Sequence, residues 1–448
     1  MDWLHQAARQ RPDHPALDAA GGSISYAELD GLAAAVAGSL AASGIRPGQR
    51  VAFPGIGSPA AAAALWGIPR AGAWAVAIDP RLPPAESRRR LRHAGVRAVW
   101  DPVGDGWRRR HRDHRPEGWG PPDPDARIVL FTSGTLGPAR AVLLTGGNVA
   151  ASAAGSAERL GTADDDRWLC VLPLHHVGGL SILWRMARAG GTVVLEERFD
   201  PDRVARLLKG GEVTAVSLVP TMLRRVLDAD PGPYRGVRAV LVGGGPADPD
   251  LLRQAADAGL PALQTYGMTE TASQVATVDP GALADEAGTA GKPLGGVEVR
   301  IVDAGGRPVP RGTTGRIEVR GAVVSPGDLD GPERPPGHWL VTGDLGSLDR
   351  DCRLTVAGRA DDVIVTGGEN VPPGVVEAAL RLHPGVRDVR VRGEDDAEWG
   401  RVVVADLVLD PRFAVEEVAR FARSRLARFQ VPKRWNVVER IERTWKQG

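Results

Sequence analysis

The sequence predicts an α/β protein with largely parallel strands, followed by an antiparallel sheet or small barrel and then a small α+β domain. The first prediction comes from short apolar strands that alternate with helices, as where the strand at 73–78 precedes an Arg-rich helix at 84–93. The second comes from a change after Gly288, where short alternating strands are separated by Gly and Pro turns. The third is a compact mixture of strands and helices beyond residue 360.

Length, charge and cysteine content limit the classes of protein to consider. A chain of 448 residues exceeds one ordinary hydrophobic core, so we expect at least two domains. Its 56 Lys and Arg against 55 Asp and Glu leave a charge of +1, which favours neither nucleic acid nor an acidic membrane as partner. Cys170 and Cys352 lie far apart, which argues against a disulfide framework. Without a signal-peptide core or an apolar run of roughly 18 residues, the predicted location is the cytoplasm.

The helices and strands before residue 126 follow from apolar periodicity and terminal glycines. We predict helices at 2–9, 27–43, 58–68 and 84–93, and strands at 50–53, 73–78 and 98–100. Residues 101–125 carry Trp, Arg, His, Pro and Gly without periodicity. A solvated connecting loop is the prediction there, and a phosphate or nucleic-acid patch on the basic run 108–115 is the alternative.

The middle of the chain continues the alternation and places glycines at strand ends. We predict strands at 128–130, 168–174, 192–195, 215–219, 237–242 and 261–265, and helices at 147–160, 201–209 and 221–227. Backbone without side chains at the carboxyl end of a strand is where α/β proteins commonly bind ligands. The glycines at 243–245 and Gly267 therefore mark candidate ligand contacts.

The last third of the chain predicts the second domain. We expect strands at 297–302, 315–320, 354–359, 363–366, 386–392 and 402–409, and helices at 373–382 and 415–426. The boundary falls near 358–361, which gives a large N-terminal domain over 1–358 and a small C-terminal domain over 359–448.

The stretch at 131–142 reads FTSGTLGPARAV and follows an apolar strand. Its hydroxyls and glycines suit a loop that wraps a phosphate with N–H and O–H donors. It lacks the Gly-Lys-Ser/Thr of a Walker loop and the GxGxxG of a dinucleotide site. A surface turn between two strands is the alternative for this stretch taken alone.

Two adjacent histidines, His175 and His176, follow the strand predicted at 168–174. A metal site would need a third His, Cys or carboxylate at ligand spacing, and the sequence nearby has none. One histidine at a strand end, with glycines after it, fits a substrate-side role, and a structural histidine is the alternative.

Several stretches occur in the order found in one superfamily. They are 132–135 with Gly137, 243–246, 266–271, 342–344, 358–362 and 367–370. Together they resemble the adenylate-forming superfamily, which includes acyl- and aryl-CoA synthetases, peptide-synthetase adenylation domains and luciferases. The segments at 168–200 and 241–278 are most similar to its o-succinylbenzoate–CoA ligase branch, of menaquinone biosynthesis.

The resemblance implies a two-step reaction with ATP, CoA and Mg²⁺. A carboxylate attacks the α-phosphate of ATP to give an acyl-adenylate and pyrophosphate, and the CoA thiol then displaces AMP to give a thioester. This chemistry requires neutralised triphosphate charge, an in-line carboxylate and a path for the thiol. The resemblance also implies stacked α/β sheets and a barrel-like β subdomain in the large domain, and a mobile C-terminal domain that pivots at Asp361.

The nucleotide-site residues are carried over from the resemblance position by position. It implies contacts of ATP or AMP with Thr132, Ser133, Gly134, Thr135, Gly137, Arg140, Gly243, Gly244, Gly245, Pro246, Tyr266, Gly267, Met268, Thr269, Asp344 and Arg359. The hydroxyls at 132–135 would donate to the β- and γ-phosphates. Glu270 would hold Mg²⁺, and Asp344 would accept hydrogen bonds from the ribose hydroxyls.

The resemblance also implies residues for the acid and for CoA. His176 would gate the acyl pocket, whose other residues are Ser181, Gly267 and Ser273. Arg185 and Arg224 are candidate cations for a second carboxylate, with a structural ion pair or a surface position as the alternative. The CoA tunnel would be lined by Gly367, Gly368 and Glu369.

The sequence departs from the family pattern at two places. In the phosphate loop Leu136 replaces a Thr, Ala139 a Pro and Arg140 a Lys, so the charge persists without the compact ammonium geometry. The family's terminal catalytic lysine has two interpretations: Lys446 takes that role, or the chain ends just before the expected lysine.

Alternative functions stay open at this point. They are a CoA ligase for another aromatic or alicyclic acid, an adenylation enzyme that loads a carrier protein, and a binding relative that does not adenylate. A small carboxylate, ATP and CoA are the expected partners, without nucleic acid or membrane, and a homodimer is open as the oligomeric state.

Overall fold

The computed structural model describes residues 2–101, 106–109, 126–132, 139–283, 285–332, 334–366, 369–396 and 399–441. The chain divides into two compact units, Met1–Glu298 with Arg320–Trp339 and Val299–Val319 with Leu340–Gly448. The domain boundary at residue 358 and the pivot at Asp361 stay predictions, because a division into compact units does not show which segment moves.

Helices and strands are numbered in chain order. The first are α1 Trp3–Gln10, β1 Pro15–Ala19, β2 Gly22–Ser25, α2 Tyr26–Ala42, β3 Arg50–Pro54, α3 Pro59–Arg70, β4 Trp74–Ile78, α4 Pro84–His93, β5 Val96–Asp101, β6 Gly106–Arg109 and β7 Ala126–Thr132. Then come β8 Arg140–Thr145, α5 Gly146–Leu160, β9 Arg167–Cys170, α6 Val177–Ala189, β10 Thr192–Leu195, α7 Pro201–Lys209, β11 Ala215–Leu218, α8 Pro220–Ala229, β12 Ala239–Val242, α9 Pro249–Asp257, β13 Ala262–Met268, β14 Ser273–Thr277 and β15 Lys292–Pro293. The last are β16 Val297–Val302, β17 Gly315–Gly321, β18 Gly327–Asp328, β19 Leu340–Leu348, β20 Leu354–Arg359, β21 Ile364–Thr366, β22 Glu369–Val371, α10 Pro373–Arg381, β23 Val386–Asp396, β24 Gly400–Leu409, α11 Val415–Arg425 and β25 Arg434–Val437.

Two large sheets form the first unit. One has the strand order β18-β8-β7-β4-β3-β5-β6, and the other has the order β15-β14-β13-β12-β11-β9-β10-β1-β2. Their central strands pair in parallel, as β3 does with β4 and β12 with β13, while β7–β8 and β13–β14 are antiparallel. The predicted α/β class is therefore confirmed.

Small residues and end caps explain why the helices form and pack where they do. The Ala-rich helix α2 begins with a capping box in which the Ser25 hydroxyl accepts from the Glu28 amide at 3.2 Å and the Glu28 carboxylate accepts from the Ser25 amide at 2.7 Å. It packs on α3, where a Cβ at Gly67 would lie 2.5 Å from the Ala33 carbonyl oxygen. Glycine is therefore required at this crossing.

The second unit contains two smaller sheets. One has the order β16-β17-β19-β20, with β17–β19 and β19–β20 antiparallel, which matches the predicted antiparallel region. The other has the order β22-β21-β24-β23, and β25 joins β24 in parallel. Buried residues of α10 and α11 share a core with this sheet, so the predicted α+β domain is confirmed. In the described part of the chain no helix has the length and apolar character needed to span a bilayer.

Three local predictions differ from the structure. Residues 106–109 form β6, which pairs antiparallel with β5, where the sequence predicted only a loop. Ladder hydrogen bonds from β5 impose a strand on residues without an apolar pattern. The strand predicted at 168–174 ends at Cys170, and α6 follows from Val177. The hairpin β1–β2 and the helices α6 and α9 were not predicted.

Candidate active site

The predicted phosphate loop begins at the end of β7. Thr132 is the last residue of that strand, and its Oγ1 is buried with no hydrogen-bond partner among the described residues. Arg140 starts β8 directly opposite Thr132 in the antiparallel register. The predicted residues Ser133, Gly134, Thr135 and Gly137 lie outside the described part of the chain, as does the substituted Leu136.

Arg140 lies between two carboxylates that are distant in sequence. Its Nη2 donates to Oε1 of Glu270, and its Nη1 lies 3.5 Å from Oδ2 of Asp328. The Arg140 side chain is 52% exposed, whereas the carboxylates of Glu270 and Asp328 are 10% and 16% exposed. The structure thus brings the predicted Arg140 and Glu270 together and adds Asp328, which the sequence did not indicate.

The donor set at Glu270 fits a magnesium ion that is shared with a nucleotide. Its carboxylate lies in the one-turn 3₁₀ helix Thr269–Thr271, at the end of β13. Mg²⁺ prefers oxygen ligands and usually takes one or two protein carboxylates together with phosphate oxygens and water. Among the described residues there is no group of three or more His, Cys, Asp or Glu that could hold a metal by itself. The buried carboxylate of Glu270 is therefore the one protein ligand that such a magnesium site would need.

The two glycine stretches that were predicted separately lie side by side. Strands β12 and β13 pair in parallel, with Val242 beside Gln264, so the turn beginning at Gly243 follows the same edge as Tyr266. A Cβ at Gly243 would lie 2.8 Å from Cγ2 of Thr265, and Gly244 has φ of +78°. Both positions therefore need glycine. Gly245 and Pro246 continue this turn, and Met268 ends β13 before Thr269.

Gly267 sets the distance between β13 and β14. A Cβ at this position would overlap the carbonyl oxygen of Ser273, so the two backbones approach only because the residue is glycine. Ser273 has φ of +113°, which is uncommon for a residue with a side chain. The backbone at Ser273 is thus held in an unusual conformation, which aims its hydroxyl towards α6.

The two histidines lie at the start of α6 and are in contact with each other. His176 is the N-cap of the helix, and its ring centroid lies 4.3 Å from that of His175. His175 is buried: its Nδ1 lies 3.0 Å from the Gly55 carbonyl oxygen, and its Nε2 lies 3.5 Å from Oδ2 of Asp79. Burial, with a smaller contribution from His175, lowers the pKa of His176 to about 4. His176 is therefore neutral near pH 7.

Ser181, Ser273 and Arg185 form a polar cluster between α6 and β14. Arg185 Nη2 donates to the Ser273 hydroxyl at 3.1 Å, and the Ser273 hydroxyl lies 3.4 Å from that of Ser181. Ser181 also donates to the Gly178 carbonyl oxygen at 3.0 Å. The structure therefore brings both predicted acyl-pocket serines together with one of the two candidate cations.

The charge of Arg185 is not balanced by a carboxylate of the described chain. The residue is only 3% exposed, its Nε has no hydrogen-bond partner in the described ranges, and no ion pair within them involves it. Its guanidinium lies 5.6 Å from the ring centroid of Trp168. Burial lowers its pKa to about 9, which still leaves it charged near pH 7. Arg224, by contrast, is 44% exposed and lies 3.9 Å from Asp248, which makes it a surface pair.

The remaining predicted residues belong to the second unit. Asp344 is buried and accepts from Arg359 Nη1 at 3.2 Å, while Gly343, with φ of +78°, passes beside that guanidinium. Asp361 lies in the 3₁₀ turn Ala360–Asp362, and Glu369 begins β22. Gly367, Gly368 and Lys446 lie outside the described residues, so the two interpretations of the terminal lysine stay open.

Sequence reasoning missed two residues of the first unit. Asp328 lies 188 residues from Arg140, and no local pattern marks it. His175 was considered only as a metal ligand, although its direct proximity to His176 in the chain was a usable signal. Its contacts with Gly55 and Asp79 become visible only once β3 and β4 are paired.

Comparisons with known proteins show which family the chain resembles. The family model described as AMP-binding enzyme matches residues 4–327, and the model described as AMP-binding enzyme C-terminal domain matches residues 375–446. The 2-succinylbenzoate–CoA ligase of Bacillus cereus (strain Q1) is 34% identical over 469 residues, which cover 99% of this chain and 95% of that protein.

Solved structures give the same result. The o-succinylbenzoate CoA synthetase (MenE) from Bacillus subtilis in complex with the acyl-adenylate intermediate OSB-AMP has a TM-score of 0.84 at 32% identity, covering 99% of this chain and 95% of that one. The same enzyme in complex with ATP and magnesium ion has a TM-score of 0.83 at 32% identity, covering 99% and 96%.

Proposed function

We propose that this chain, which belongs to the AMP-binding enzyme family, is a 2-succinylbenzoate–CoA ligase that forms an acyl-adenylate and then a CoA thioester. It uses ATP, CoA and Mg²⁺. The observation that carries the choice of acid is the buried cation Arg185, which has no carboxylate of the described chain as counter-ion and donates to Ser273 next to Ser181.

A buried cation without a counter-ion indicates that an anion is the missing partner. Removing a guanidinium from water costs several kcal/mol unless a carboxylate and further hydrogen bonds compensate for it. 2-Succinylbenzoate has two carboxylates, so one can react while the other pairs with Arg185. On binding, the Ser273 hydroxyl, which donates to Ser181 in the free chain, would turn its proton to the same group. A monocarboxylic acid would leave the cation uncompensated.

On the nucleotide side we assign roles to Thr132, Arg140 and Glu270. The buried hydroxyl of Thr132, which has no partner among the described residues, would donate to a phosphate oxygen, and Arg140 would balance phosphate charge. Glu270 would hold Mg²⁺, which when bound neutralises charge on the triphosphate. The turn at Gly243 and Gly244 would leave room for adenine beside Tyr266.

In the acyl pocket, His176 must be uncharged so that it does not form an ion pair with the reacting carboxylate. A protonated His176 would pair with that group and hold it away from the phosphorus. The lowered pKa keeps the ring neutral, so His176 can line the approach as a hydrogen-bonding wall. The ring lies at the start of α6 and packs against the ring of the buried His175.

The second unit would contribute ribose and CoA contacts. Asp344 would accept from ribose hydroxyls, and Arg359 would hold that carboxylate in place. A groove in this unit of about 420 Å³ is lined by Arg423, Leu426, Arg428, Val431, Pro432 and Lys433. Its three cations form no ion pair with the described residues, and the CoA contacts stay proposed for Gly367, Gly368 and Glu369.

Three further assignments are proposals of the same kind. We place the enzyme in the cytoplasm, because its two cysteines do not form a disulfide. Lys446 is the proposed lysine of the adenylation step, and Asp361 the proposed pivot. A homodimer in solution is a prediction that light scattering tests.

The function is tested by product analysis. Incubation with ATP, Mg²⁺, CoA and 2-succinylbenzoate should yield AMP, pyrophosphate and a thioester in equal amounts. Pyrophosphate release with another acid from a carboxylate panel, but not with 2-succinylbenzoate, would assign a different substrate. Transfer to a phosphopantetheinylated carrier protein but not to CoA would make the chain a carrier-loading enzyme. Nucleotide binding without adenylate from any acid would overturn the ligase assignment.

A further inference from the structure

Arg140 is paired with the one carboxylate that the proposed reaction needs for its metal. Its Nη2 donates to Glu270, and the second terminal nitrogen faces Asp328 at 3.5 Å. A divalent cation on Glu270 would meet the guanidinium at close range, and the two positive charges would repel each other. Binding of Mg²⁺ to Glu270 would therefore weaken the ion pair between Glu270 and Arg140.

Asp328 is the second carboxylate within reach of the guanidinium. Its Oδ1 is buried and has no hydrogen-bond partner in the described part of the chain, and its Oδ2 is the atom that already faces Arg140. A carboxylate accepts two parallel bonds from one guanidinium. Within the described part of the chain, Asp328 thus keeps one carboxylate oxygen without a donor, beside the oxygen that faces Arg140.

The backbone holds Asp328 rigidly between Glu270 and β8. The Ser325 amide donates to the Glu270 carbonyl oxygen at 2.8 Å, and the Ser325 hydroxyl accepts from the Gly327 amide at 3.1 Å. Beyond Asp328, the Leu329 amide donates to the Ala141 carbonyl oxygen at 2.9 Å. The carboxylate is therefore held by a strand pairing next to Arg140 itself.

The side chain of Arg140 is free to exchange partners. It is 52% exposed, whereas both carboxylates are largely buried and fixed by their backbones. A long, exposed guanidinium between two fixed carboxylates has two available positions, one on Glu270 and one on Asp328.

We propose that Asp328 is a positioning residue that takes Arg140 from Glu270 when the Mg²⁺-nucleotide binds. In the free chain Arg140 neutralises Glu270. On binding, Mg²⁺ takes Glu270, and Asp328 holds the guanidinium beside the phosphates and away from the metal. This exchange of ion-pair partners rests on the proposed function, which supplies Mg²⁺ and ATP.

The test is a Mg²⁺ titration without turnover. Calorimetry with α,β-methylene-ATP and no acid measures how Mg²⁺ affinity depends on Asp328. We expect Asp328→Asn to weaken Mg²⁺ binding about 10-fold, the effect of losing one hydrogen bond to a charged group. Asp328→Glu should keep most of the affinity. Asp250→Asn, at an exposed ion pair, serves as the matched control and should change nothing.

A double variant separates positioning from structural damage. In Asp328→Asn with Arg140→Gln no guanidinium competes for Glu270, so Mg²⁺ affinity should return to within about 3-fold of wild type. The KM of the double variant for ATP should be higher than that of wild type, because residue 140 no longer contacts the phosphates. Unchanged affinity in Asp328→Asn, or a double variant as weak as the single one, would overturn the proposal.

Two controls keep the test decisive. If Asp328→Asn does not fold, Arg140→Gln alone must bind Mg²⁺ at least as tightly as wild type when both are saturated with α,β-methylene-ATP, and weaker binding would overturn the proposal. Thioester formation by wild type is measured separately, so a failed ligase assignment is distinguishable from a failed role of Asp328.

Discussion

Two arginines of the first unit are in opposite electrostatic situations. Arg185 is 3% exposed, and no carboxylate of the described chain pairs with it. Arg140 is 52% exposed and faces the carboxylates of Glu270 and Asp328. Arg185 is thus a buried cation without a counter-ion in the described chain, whereas Arg140 is a solvent-exposed cation that faces two carboxylates.

This difference indicates two ways of preparing a site for an anion. At Arg185 the chain bears the desolvation of the cation in advance, so an arriving carboxylate gains the full interaction. At Arg140 the charge is neutralised until the ligand arrives, so binding requires an exchange of partners. The acyl side should therefore determine which acid binds, and the phosphate side should determine how binding depends on Mg²⁺.

The largest expected effect is at Arg185. Arg185→Met should lower kcat/KM for 2-succinylbenzoate at least about 100-fold, because breaking a buried charge pair costs roughly 3–5 kcal/mol. The free energy of unfolding of the free enzyme should stay the same or rise, since an uncompensated buried charge is removed. Steady-state kinetics and urea denaturation measure the two quantities. Arg224→Met is the control, and an equal loss there would contradict the special role of Arg185.

The next effect is at Glu270. Glu270→Gln keeps the shape but removes the charge that holds Arg140 and would hold Mg²⁺. We expect pyrophosphate release to fall about 10- to 100-fold, corresponding to roughly 1.5–3 kcal/mol for a bond to a charged group. Conversion of preformed acyl-adenylate with CoA should be unaffected. A loss of similar size in that second step would show that the substitution disturbs the fold.

A smaller effect is expected for the pH dependence of stability, to which His176 at the start of α6 contributes. A free imidazole takes a proton near pH 6.5, whereas His176 in the folded chain does so only near pH 4. The unfolded state therefore binds more protons between these values, and stability that is fully present above pH 6.5 is lost as pH falls towards 4. His176→Gln should reduce this loss by on the order of 1–2 kcal/mol. Urea denaturation at pH 7.5 and pH 4.5 tests it, and an identical loss in the variant would contradict a neutral His176.

The smallest effect is expected for Arg140→Lys, which restores the family's usual residue. Exposed ion pairs contribute about 0–1 kcal/mol, so the KM for ATP should change by no more than about 5-fold. A change as large as that of Arg185→Met would mean that the two arginines do not differ as described. Initial rates at varied ATP concentration are the measurement.

Much of the fold was accessible from the sequence because its elements have local signals. The alternation of apolar strands with helices predicted β3 to β5, and the glycine directly after β12 is required by packing, since a Cβ at Gly243 would lie too close to Thr265. The strand β6 was not predicted because its residues show no strand pattern of their own, and the strand forms through pairing with β5.

The candidate site was predictable where motifs carry it and unpredictable where tertiary contacts create it. Ser181 and Ser273 were placed by resemblance, and they do lie together. Arg185 is buried, and no carboxylate of the described chain pairs with it. Both properties depend on tertiary packing, so no local sequence pattern could have shown them. The same holds for Asp328, whose contact with Arg140 depends on the pairing of β18 with β8.

The central claim is that Arg185 reserves the acyl pocket for an acid with two carboxylates. The most direct measurement is pyrophosphate release by wild type and Arg185→Met with three acids: 2-succinylbenzoate, 3-benzoylpropionate, which lacks the aromatic carboxylate, and 2-butyrylbenzoate, which lacks the succinyl carboxylate. Wild type should prefer 2-succinylbenzoate over both analogues by about 100-fold, and Arg185→Met should lose its preference over the analogue that keeps the reacting carboxylate. In wild type, equal rates with 2-succinylbenzoate and one analogue would contradict the claim, and so would an undiminished preference of Arg185→Met over the analogue that still reacts.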